Sequence, residues 1–179
     1  MSDSAFHSPS VVCLRSPFLG AGTRCLATVS LAVPANGCGT PGLYAEVTLR
    51  NRNSTRPDFE SVFPFEKPVP LQYMLFDGRN GFTTVLYLSN ENSISTQIVL
   101  EVDDSFGRAV RTVTLTLRAL ETQILTLHVL SPETIGIQGT LVLQGRNSNG
   151  TALITATGLR INPSNSFTPL RAFVPAPNN

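Results

Sequence analysis

From Leu43 onward, apolar and polar residues alternate along the chain with a period of two. The clearest run is 111–117, where Val113, Leu115 and Leu117 share one side and Thr112, Thr114 and Thr116 the other. Ile98, Leu100 and Val102 alternate in the same way with Val99, Glu101 and Asp103, and Val47 and Leu49 with Thr48 and Arg50. Leu125, Leu127 and Val129 against Thr126 and His128 read as one more strand, and residues 82–88, 139–145 and 151–159 as three others. Successive strand side chains point to opposite faces, so this pattern predicts antiparallel strands buried on one side. Turn residues separate the runs: Asp77-Gly78 with Asn80-Gly81, then Asp104-Ser105-Phe106-Gly107, then Asn147-Ser148-Asn149-Gly150. Only Ser131-Pro132-Glu133-Thr134 has helical character, with Ser131 as cap and Pro132 in the first position. Strands recurring every ~12 residues predict an all-β, antiparallel, two-sheet sandwich of about seven strands over residues 70–173.

The flanks read differently. Residues 1–42 are expected to be an irregular leader, with a targeting role suggested by Arg24 followed by the apolar stretch 25–35. Residues 43–69 read as strand material and a linker rich in proline (Pro64, Pro68, Pro70), and 174–179 as a tail. Cys13, Cys25 and Cys38 all lie in the leader, so no disulfide framework is expected in the patterned body, and their spacing does not match a zinc site.

Charge narrows the partners. With 14% charged residues and a net charge of +1, the chain generates no strong field for nucleic acid or anionic lipid. No apolar run approaches the ~18 residues of a membrane-spanning helix. The expected partners are therefore neighbouring copies or other protein domains, met through exposed strand edges, and glycans.

Candidate chemistry is sparse. Asp103 and Asp104 are adjacent on a strand, so their carboxylates are expected on opposite faces and are assigned to the hairpin turn. His128, expected on the polar side of its strand, is the residue through which a small hydrolase would have to act, but no G-x-S-x-G elbow accompanies it. No catalytic residue, metal ligand or cofactor is expected. Sugar sites present flat exposed aromatics, and the chain has no Trp and three Tyr. Phe106, at a hairpin tip, is the best ligand-binding candidate; the competing expectation is a ring folded back over the end of the sandwich. Asn53 and Asn149 head glycosylation acceptor triplets in turn-like stretches.

Two longer stretches carry a recognisable pattern. "FDGRNGFTTVLYLSN" (76–90) fits an F-D-N-x-x-G-F-x-T-x-hydrophobic-x-L-x-N opening through Phe76, Asp77, Gly81, Phe82, Thr84, Leu88 and Asn90. "GLRINPSNSFT" (158–168) fits a G-L-R-hydrophobic-N-P-x-x-x-F-T closing. Together they resemble a recurring β-sandwich module found in tandem within large predicted secreted proteins of soil bacteria, over roughly residues 57–172. The resemblance implies an extracellular or cell-surface, immunoglobulin-like module of uncharacterised function, with no catalytic residues to carry over. The leading expectation is a non-enzymatic structural or adhesive module; a carbohydrate-binding accessory domain is the alternative, and a small hydrolase stands behind it.

The closing stretch has a physical reading. Pro163 donates no hydrogen bond and holds Asn162 extended, so pairing stops there, while Asn and Ser side chains satisfy the freed backbone. Phe167 then turns back to cover the end of the core. An echo of this stretch, Val47-Thr48-Leu49-Arg50-Asn51-Arg52-Asn53-Ser54, lines up with residues 157–164. It predicts that Leu43–Ser54 is the closing strand of a preceding module whose other strands are missing, left to find a foreign edge or to fray.

Overall fold

The computed structural model of the chain describes residues 10–12, 24–32, 44–52, 59–64, 67–164 and 166–174. The chain divides into two compact units, Met1–Phe65 and Glu66–Asn179.

The first unit is a four-stranded antiparallel meander of β1 (Ser10–Val12), β2 (Arg24–Ala32), β3 (Tyr44–Arg52) and β4 (Phe59–Pro64), in that order. Two of these strands lie within 1–42, where an irregular course was expected, and Cys25 falls in β2. That stretch mixes β-branched and small residues without a sustained alternation, so its pairing comes from the neighbouring strand rather than from a legible pattern. The echo strand β3 is flanked on both sides, by β2 and by β4, so it is no orphan: its sheet is supplied within its own unit. Cys13, Cys38 and Asn53 lie outside the described residues.

The second unit is a nine-stranded antiparallel sheet, nearly closed in the manner of a barrel. Its strands are β5 (Leu71–Asp77), β6 (Thr83–Asn90), β7 (Thr96–Asp104), β8 (Ala109–Leu117), β9 (Thr122–Thr126), β10 (Gln138–Asn147), β11 (Gly150–Thr151), β12 (Ile154–Ile161) and β13 (Phe167–Phe173). The order runs β8-β7-β10-β5-β13-β12-β6-β9, with the short β11 paired to β10. The join lies in β13. Its first five residues pair with β12, and its last two, Ala172 and Phe173, pair with Met74 and Tyr73 of β5. Buried Gln72 adds a second stitch by donating to the Ile154 carbonyl at 2.6 Å and accepting from the Ala156 amide at 3.0 Å.

The core is the inward set of the alternation: Met74, Leu86, Ile98, Leu100, Leu141 and Leu143 are all fully buried. β8 has the predicted facing but not the predicted depth. Leu117 is buried, Leu115 and Val113 only partly, and Thr112, Thr114 and Thr116 are exposed. As a terminal strand it is covered on one side only.

The strand expected to run to Val129 stops at Thr126. Residues Leu127–Leu130 form one turn of helix, α1, and Pro132–Thr134 a 3₁₀ turn behind it. Leu127 and Leu130 are spaced i, i+3, which a helical turn satisfies as well as alternation satisfies a strand. As a result Thr126, expected outside, is buried, Val129 is exposed, and His128 sits on the helical turn.

Candidate functional site

The two recognisable stretches meet in space. The Asp77 carboxylate, at the end of β5, accepts from the Arg79 amide at 3.1 Å and from Arg79 Nε at 3.0 Å. Its other oxygen accepts from Arg160 Nη1 of β12 at 3.4 Å. The Arg160 guanidinium lies 4.2 Å from the centroid of the Phe82 ring, so opening and closing motifs share one charged and aromatic cluster. The Arg79 hydrogen bond is the largest influence holding the Asp77 carboxyl below its ordinary value, with Arg160 adding to it. Asn80 takes a left-handed conformation (φ +53°) to turn the chain here. Gly78 is required because a Cβ there would collide with the Thr134 carbonyl oxygen; its amide donates to Ile137 O at 2.8 Å.

Asn90 ends the opening motif and is buried. Its Nδ2 donates to the Ile94 and Arg118 carbonyls at 2.8 and 2.6 Å, and its Oδ1 accepts from the Asn92 amide and from Thr96 Oγ1. One side chain therefore closes two loops. The closing turn behaves as its sequence implies. Asn162 Oδ1 accepts from the Ser166 amide at 2.9 Å and from Ser164 Oγ at 2.8 Å, and Phe167 is buried.

A different surface lies on the outward side of β5, β10 and β7. Since Met74 and Phe76 point into the core, Tyr73 and Leu75 point out. Register sets Phe173 beside Tyr73, Tyr73 beside Val142, Leu75 beside Thr140 and Thr140 beside Asp103. The Tyr73 and Phe173 rings stack with centroids 5.8 Å apart at 25°. Together with Asp103, Gln138 and Thr140 they line a groove of about 600 Å³. Leu75 and Phe173 are 60% and 47% exposed, high for large apolar side chains on a sheet.

Asp103 and Asp104 both border this groove, Asp103 from the outward face beside Thr140 and Asp104 from the hairpin at the end of β7. The two pair consecutively with Thr140 and Gly139 of β10, and the extra residue at the register slip with β8 is Val110. Asp104 does serve the hairpin turn: it accepts from the Phe106 and Arg108 amides at 2.8 and 3.0 Å and pairs with the Arg108 guanidinium at 2.7 Å. These bonds, the Arg108 amide foremost, lower its pKa. Phe106 is 81% exposed at the tip of that hairpin, with the Arg108 guanidinium 5.3 Å from its ring centroid, and is not folded back over the end. His128 lines a separate cavity of about 280 Å³ beside Phe82, Thr83, Thr84 and Leu127. Asn149 is exposed in its hairpin turn.

Sequence reasoning singled out Phe106 and passed over Tyr73, Gln138, Thr140 and Phe173, which are far apart in the chain. The one available signal was their outward place in each alternation. No protein-family model, curated protein or solved structure matches the chain.

Proposed function

We propose that the chain is a non-enzymatic structural or adhesive module of an extracellular bacterial protein, working as an immunoglobulin-like two-layer sandwich. The divided pairing of β13 supports the two layers, one of β9, β6 and β12 and the other of β8, β7, β10 and β5. The observation that carries the functional reading is that the signature residues Asp77, Phe82, Asn90, Arg160 and Phe167 are spent on fastening chain segments together. Residues 43–69 are read as the remnant of a preceding module. In its support, Leu49, Arg50 and Asn51 face Ser61, Glu60 and Phe59 in the same register in which Leu159, Arg160 and Ile161 face Pro169, Thr168 and Phe167.

The test is turnover. Incubated with chromogenic esters and glycosides, the purified chain is expected to show no release above the uncatalysed rate. Turnover that disappears in His128→Ala would replace this reading with a small hydrolase. A carbohydrate-binding accessory role is the second reading, favoured by the stacked Tyr73 and Phe173 rings.

A further inference from the structure

The geometry points to the outward groove of β5, β10, β7 and β13 as a binding site for a neutral oligosaccharide, seated on Tyr73 and Phe173 and hydrogen-bonded by Asp103, Gln138 and Thr140. This rests on the carbohydrate-binding reading and gives it a site other than the hairpin tip.

Three features carry it. The stacked rings of Tyr73 and Phe173, with Leu75 one register step along β5, form an apolar strip that remains open to solvent. The axial C–H groups of a pyranose present a matching flat apolar face, and aromatic rings gain most from such contact when water leaves both surfaces. Along this strip stand polar groups that the fold does not use. Among the described residues the side chains of Asp103, Gln138 and Thr140 make no hydrogen bond or ion pair, in contrast to Asp104 beside them. A free carboxylate accepts from two vicinal hydroxyls, an amide both donates and accepts, and a hydroxyl does either, which is the complement of a polyol edge. The volume, about 600 Å³, falls inside the range of roughly 300–1,000 Å³ found for small-ligand clefts.

Charge selects the ligand. The two lining side chains that carry charge at neutral pH are carboxylates, Asp103 and Asp104, and only Asp104 is neutralised by a cation, Arg108. An acidic polysaccharide would bring its own carboxylates against Asp103, and like charges in a partly desolvated site repel. A neutral hexose or pentose polymer meets no such penalty. The groove lies on the open face of the sheet and is bounded by the 104–108 hairpin, an arrangement suited to a stretch of chain rather than to a single enclosed sugar.

The test is calorimetric titration of the full chain with cellohexaose, xylohexaose and mannohexaose, and with a galacturonic acid oligomer as the acidic arm. At least one neutral hexasaccharide is expected to bind, the acidic oligomer at least about tenfold more weakly. Phe173→Ala and Asp103→Asn are each expected to weaken the neutral ligand by about tenfold or more, and Phe106→Ala to change it by less than about threefold. Asp103→Asn keeps the shape of the side chain, and amide spectra of the variants report whether the sheet is intact. Equal or tighter binding of the acidic oligomer would overturn the assignment. So would binding lost in Phe106→Ala but kept in intact Phe173→Ala and Asp103→Asn, although the carbohydrate-binding reading would then survive. Absence of binding by all three neutral hexasaccharides at millimolar concentration would overturn both.

Discussion

Strand β5 carries two groups of residues that the molecule treats in opposite ways. At its end, Asp77 accepts hydrogen bonds from Arg79 and Arg160, and Arg160 in turn lies over Phe82. Two to four residues earlier, Leu75 and Tyr73 face outward beside Thr140 and Phe173, next to an Asp103 that has no partner among the described residues. The first group belongs to the stretches that stand out in the sequence; the second leaves no trace there. Recognisable residues in this chain are those whose interactions are internal and fixed. The outward groove is built from ordinary outward positions brought together by register. A motif in a small β module is thus better evidence for how the sheet is fastened than for what it binds.

The contrast can be broken most severely at Gly139, which pairs with Phe76 on one side and Asp104 on the other. A Cβ there would collide with the Asp103 carbonyl oxygen. Gly139→Ala is expected to cost more than about 3 kcal/mol, because backbone cannot move aside as a flexible side chain does. A chemical-denaturation midpoint close to that of the parent would mean that β10 and β7 are spaced more loosely than the register requires.

Next in size is burial depth. Leu100→Ala, in the interior strand β7, is expected to cost about 2–5 kcal/mol. Leu115→Ala, on terminal strand β8, should cost roughly 1–2 kcal/mol, since its side chain is only partly covered. Equal losses in the two variants would place β8 inside the sheet.

These two strands mark how far the sequence was legible. The alternation in β7 and β8 gave facing correctly in both, but position in the sheet decides depth, and alternation carries no information on which strand comes last. Most strands of the body, β5 and β13 excepted, and the turn at Asn147–Gly150 followed from local chemistry, and Phe167 is buried at the start of β13. The helical turn at Leu127 was missed because Leu127 continues the alternation from Leu125, while its spacing to Leu130 is helical. Asp103 and Asp104 were both assigned to the hairpin turn, and Asp104 alone makes the turn's hydrogen bonds. The groove was out of reach for another reason: Tyr73 and Phe173 meet only through the two residue pairs that join β13 to β5.

The smallest effect expected is electrostatic. The folded pKa of Asp77 is depressed, chiefly by Arg79, so the stability this carboxylate adds is present above its ordinary value near 3.8 and is lost as pH falls through the lower folded value. With Arg79 half exposed to solvent, the contribution should be under about 1 kcal/mol. In Asp77→Asn the acid limb of the stability profile should be correspondingly shallower. An unchanged limb would mean that other carboxylates account for it.

The claim that the signature residues serve architecture is tested most directly at Asn90, whose single buried side chain holds the 91–95 loop and the carbonyl of Arg118. The measurement is the urea-unfolding free energy of Asn90→Ala against the parent chain. Removing the amide strips partners from Thr96 Oγ1 and from the carbonyls of Ile94 and Arg118, each lost partner of a buried group costing about 1–3 kcal/mol before relaxation. The account predicts a loss of roughly 2–4 kcal/mol with an unchanged denaturant slope. A free energy within about 0.5 kcal/mol of the parent would contradict it.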